Sequence, residues 1–99
     1  MLFNWFDARE AEQCGLSLAQ FFAERVSVKA GEGGKKSLPK KQLEAVNKML
    51  AQAQRFGHEH KLNIYKKAKL GNAFKWKLKE SGYASELVDE LTKELLLHL

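Results

Sequence analysis

Apolar residues recur every three or four positions through most of this chain. That spacing lines one face of an α-helix, and no segment alternates as a half-buried strand would. In the first third, Ala8, Ala11, Cys14, Leu18, Ala19, Phe21, Phe22 and Val26 fall on one broad stripe at about 100° per residue. Gly15 lies on the same stripe, which points to a close helix approach rather than a break. Arg9, Glu12, Gln13 and Gln20 face outward. Asp7-Ala8-Arg9-Glu10 reads as a capping-box variant: Asp7 accepts from backbone N–H groups and Glu10 reaches back. Phe6 holds the staple position before it. The pattern predicts a helix over 7–26.

A second set, Leu43, Val46, Met49, Leu50, Ala53 and Phe56, predicts a helix over 39–56. Pro39 suits a first turn, Gly57 suits the position just past the end, and Arg55 sits near the negative end of the helix dipole. A third helix is predicted over 60–80, ending at Ser81-Gly82. A fourth covers 84–98, with Leu87, Val88, Leu91, Leu95 and Leu99 inward and Glu86, Asp89, Glu90, Lys93 and Glu94 outward. Tyr83 is expected in the corner between the last two. Residues 30–38, AGEGGKKSL, have no periodicity and read as a mobile basic glycine-rich loop.

One register runs through the middle. Leu43, Val46, Leu50, Ala53, Gly57, His60, Ile64, Ala68, Gly71, Phe74 and Leu78 keep spacings of three or four. A single helix over 39–80 would need a partner to cover its stripe and would imply a homo-oligomer. A break near Gly57 is preferred, because a short hairpin buries both halves within one chain. The expectation is therefore one all-α domain over 1–99: four helices in antiparallel hairpins, with the aromatic N-terminal segment packed on them.

Composition supports this. Val and Ile number only five (Val26, Val28, Val46, Val88 and Ile64), and Thr92 is the one threonine. Leu, Ala, Lys, Glu and Gln dominate, which favours helix through side-chain entropy. The single cysteine, Cys14, excludes an intrachain disulfide and a sulfur-rich zinc site. A reducing, cytoplasmic setting is the simple expectation. No run approaches the ~18 apolar residues of a membrane span. The start, MLFNWF, has no basic leader character and is not expected to be a secretory signal. Phe3, Trp5 and Phe6 are expected to fold back on the bundle, with an anchor for a partner or a membrane surface as the alternative.

Charge is uneven. Residues 61–79, KLNIYKKAKLGNAFKWKLK, hold seven of the seventeen basic residues and no acid. On a helical wheel Ile64, Ala68, Gly71, Phe74 and Leu78 form one apolar face. Leu62, Tyr65, Ala73 and Trp76 form a second, roughly opposite. A surface helix needs only one such stripe. The first reading is a central helix sandwiched between neighbours, its lysines snorkelling from the margins. The second is an exposed Tyr65/Trp76 face that meets a partner, with Lys66, Lys69 and Lys77 around it. A protein partner ranks ahead of nucleic acid. For nucleic acid the carriers would be Lys61, Lys66, Lys69, Lys75, Lys77 and Lys79, which release counterions from phosphates while the rings stack on bases. Arginine is absent from 61–79, and the acidic last helix would neutralise part of the patch.

Other candidates are weaker. Gly33-Gly34-Lys35-Lys36-Ser37 has Lys35 where a phosphate-binding loop requires glycine. His58 and His60 are two positions apart, not the four that place zinc ligands on one helix face, so no metal is expected; His58 is better suited to terminal carbonyls of the second helix. Cys14 lies on an apolar stripe and reads as buried and inert. With no catalytic constellation and no cofactor motif, the expected function is a small non-catalytic binding or adaptor protein. Nucleic-acid binding through 61–79 is the alternative.

Overall fold

The computed structural model describes residues 8–99, and these form four α-helices: α1 (Arg9–Arg25), α2 (Lys40–His60), α3 (Ile64–Glu80) and α4 (Ser85–His98). No strand occurs among the described residues. The domain is all-α, as its periodicity predicts. The capping box that begins at Asp7 and the expected packing of Phe3, Trp5 and Phe6 lie outside the described residues.

The helices form two antiparallel hairpins laid side by side. His60 of α2 pairs with Glu10 at the start of α1, while Arg25 at the end of α1 faces Lys41 and Ala45. In the second hairpin Lys79 of α3 reaches Asp89 of α4, and Leu96 lies over Gly71. The hairpins meet through parallel neighbours: α1 packs most extensively on α3, and α2 lies along α4. The core they enclose includes Phe22, Met49, Leu70, Phe74, Leu78, Leu87, Leu91 and Leu95, all fully buried.

Gly15 permits the α1–α3 contact. A Cβ at this position would collide with the Leu70 carbonyl oxygen and lie 3.0 Å from the Ala73 Cβ. The glycine on the apolar stripe thus serves close helix approach, as the sequence suggests.

The break between the two middle helices falls later than expected. α2 runs through Gly57 to His60, and Lys61 ends it in the left-handed region at φ 47. Asn63 then caps α3, accepting from the Lys66 backbone N–H at 2.8 Å. Gly57 is buried inside the helix because Leu99 approaches it; a Cβ there would lie 2.9 Å from the Leu99 carbonyl oxygen. Packing, not helix termination, requires this glycine. The continuous helix over 39–80, the condition for the inferred oligomer, does not form. Nor do α2 and α3 fold face to face, since α3 turns instead onto α1 and α4.

The α3 terminus follows expectation. The Gly82 N–H donates to the Lys79 carbonyl and the Tyr83 N–H to that of Leu78, a Schellman pair. This turn aims Tyr83 into the corner, where its hydroxyl donates to the Val26 carbonyl and its ring meets Phe22 edge-on at 5.2 Å. The 30–38 segment carries two short 3-10 turns, Lys29–Gly31 and Lys35–Ser37. It is clasped to α4: the Lys35 N–H donates to Glu90 at 3.1 Å and its ammonium meets Glu94 at 2.6 Å.

Candidate functional site

Helix α3 lies between α1 and α4, but these neighbours share one side of it. Leu70, Gly71, Phe74 and Leu78 point into that side and are buried. The opposite side stays outward. Trp76 is 58% exposed, so the sandwiched reading of this face fails. The expected core stripe is also shifted. Ile64 is 86% exposed and Ala68 is exposed, while Leu70, which the spacing argument did not select, takes the buried position.

Tyr65, Lys69, Asn72, Trp76 and Lys79 follow one another at spacings of four and three, a single line along the opposite side, with Asn72 and Trp76 exposed and Tyr65, Lys69 and Lys79 half-buried. The lysines sit over the rings. Lys69 Nζ is 5.6 Å from the Tyr65 ring centre. Lys75 and Lys79 place their ammonium groups 6.0 and 5.7 Å from the Trp76 ring centre. Such contacts contribute about 0.5–1 kcal/mol each at exposed sites and place two cations near the indole.

Beside Trp76 the α1–α3 seam opens into a groove of about 290 Å³. Ala73, Trp76, Lys69, Asn72 and Lys77 line it from α3, with Leu16 and Glu12 from α1 and Glu80 at its end. Leu16 is 38% exposed. Sequence reasoning missed it, although a leucine off the α1 stripe was a usable signal. Of the other predicted site residues, Lys66 is half-buried near the start of α3. Lys61 sits in the α2–α3 link, off the helix.

The acidic helix neutralises less of the patch than its charge suggests. Glu90 and Glu94 are engaged by Lys35. Only Asp89 turns to α3, 3.8 Å from Lys79. Lys69 and Lys77 have no acidic partner among the described residues.

A second concavity, about 690 Å³, lies between α1 and α2, lined by Arg9, Glu10, Gln13, Cys14, Ser17 and Phe56. His60 stands at its edge, stacked on Phe56 at 4.0 Å and 3.3 Å from Glu10. His60 Nδ1 lies 3.0 Å from the Phe56 carbonyl oxygen, whereas the expected contact of His58 with terminal carbonyls of α2 is not made among the described residues. Burial pushes the Cys14 thiol up to about 11. It is protonated at neutral pH and poorly nucleophilic. No group of three metal-ligating side chains converges among the described residues, and no described helix is long and apolar enough to cross a membrane.

No known protein family matches the chain, and neither a curated protein nor a solved structure shows detectable similarity to it.

Proposed function

We propose that this is a small non-catalytic binding or adaptor protein whose docking surface is the outward face of α3, centred on Trp76. One observation carries the reading: a large aromatic ring, 58% exposed, stands on a helix anchored in the core, beside a groove walled by Leu16 and Ala73. Tyr and Trp dominate binding hot spots because they offer large area at small entropic cost. A cytoplasmic setting belongs to the same reading.

The test is comparative capture from a lysate of the source organism. Wild-type protein, Trp76→Ala and Leu97→Ala serve as baits. Leu97 is 76% exposed on α4 and does not line the groove. A partner lost with Trp76→Ala and retained with Leu97→Ala supports the reading; a partner indifferent to Trp76→Ala overturns it.

Nucleic-acid binding is the second reading, favoured by the line of rings and lysines on α3. It requires salt-sensitive binding that falls when Lys66, Lys69, Lys75, Lys77 and Lys79 become Gln, with Lys61 contributing from the link. Absence of any gel shift at low salt would remove it.

A further inference from the structure

We propose that the groove beside Trp76 takes an acidic peptide segment, with one large apolar side chain seated between Leu16 and Trp76 and a carboxylate to either side of it. This deepens the docking reading of the α3 face and rests on it.

The shape suits an anchor. At about 290 Å³, the groove falls at the bottom of the ~300–1,000 Å³ typical of small-molecule sites. Its apolar part is local: Leu16, the Ala73 methyl and the indole line it. One side chain of a longer segment fills such a place, while the rest of the segment runs along the helix.

The charges select the segment. Lys69 and Lys77 both line the groove, eight residues apart with Ala73 midway. At 1.5 Å rise per residue they stand about 12 Å apart along the axis. A carboxylate meets each of them from about one turn to either side of the anchor in a helical partner. In an extended partner, at about 3.3 Å per residue, the offset is two residues. Lys75 adds positive potential beside the indole, and Lys79 does so in part, its charge shared with Asp89.

The rim argues against a phosphate chain. Glu12 and Glu80 also line the groove, and a strand with a charge at every nucleotide would meet both. A peptide carries acids only where the lysines are. Arginine, the bidentate reader of bases, is absent from α3.

The experiment uses the full chain and a fluorescein-labelled dodecapeptide, with a central Phe and Glu at the second and fourth positions to either side. Comparators are the same peptide with Lys for Glu, one with Ala for Phe, and an oligothymidylate of equal length. Anisotropy reads affinity, and amide NMR locates the site. The acidic Phe peptide is expected to bind best and to shift the signals of Leu16, Ala73 and the Trp76 indole. Trp76→Ala is expected to weaken it by ~10-fold or more, and the pair Lys69→Glu, Lys77→Glu by a similar factor. These side chains lie at the surface, and circular dichroism checks that each variant folds.

The proposal is overturned if the lysine peptide binds as well, if the double charge reversal leaves affinity unchanged, or if the acidic peptide fails at millimolar concentration. Oligothymidylate shifting the same residues in its place overturns the acidic-peptide assignment but leaves α3 a docking surface. The docking reading itself falls only if the captured partner ignores Trp76→Ala.

Discussion

The two sides of α3 carry aromatic rings two residues apart, with opposite fates. Phe74 is fully buried between α1 and α4, whereas Trp76 is 58% exposed. Inward, Leu70, Gly71, Phe74 and Leu78 present no charge. Outward, Tyr65 and Trp76 alternate with Lys69 and Lys79. Both lines satisfy helical spacing, so periodicity treats them alike. What separates them is the company kept along the line. A ring interleaved with lysines at three- and four-residue spacing places ammonium groups beside it, and burial of that side would require desolvating them. The charge-free line has no such cost.

The sharpest way to break this contrast is Phe74→Ala. A fully buried ring truncated in a core costs about 3–5 kcal/mol, measured by chemical denaturation; a loss smaller than that of Trp76→Ala would invert the two faces. Gly15→Ala tests the seam that orients them. The Leu70 backbone carbonyl cannot yield as a flexible side chain would. Overpacking costs about 1–3 kcal/mol, partly offset by about 1 kcal/mol of helix propensity. A net loss of up to about 2 kcal/mol is expected, and a gain in stability would show that α1 does not approach α3 so closely. Trp76→Ala should have the smallest effect, under about 1 kcal/mol, as for surface positions. Loss of several kcal/mol would mean that the indole belongs to the core.

Much of the fold was legible. The inward residues of α1 and α4, including Phe22, Val26, Leu87, Val88, Leu91 and Leu95, follow from spacing alone and are buried. The end of α3 at Ser81-Gly82 and the corner position of Tyr83 follow from local chemistry, because a C-terminal turn is closed by bonds among neighbours in sequence. The proposed docking face was half legible. Tyr65, Lys69, Trp76 and Lys77 stand on or beside the α3 face and its groove, whereas Leu16 and Glu12 come from another helix.

The failures share one cause. Gly57 signals a helix end when judged locally and is kept inside α2 by the approach of Leu99. Ile64 and Ala68 extend the apolar register but lie exposed, while Leu70 is drawn in by α1. The chain by itself determined the four helices of the described residues, roughly where they end, and that α3 has two sides worth covering. Only the tertiary structure decided which neighbours cover the charge-free side. Hydrophobic burial is non-directional: a stripe states that it should be buried, not by which neighbour. Here both neighbours of α3 arrive on the same side.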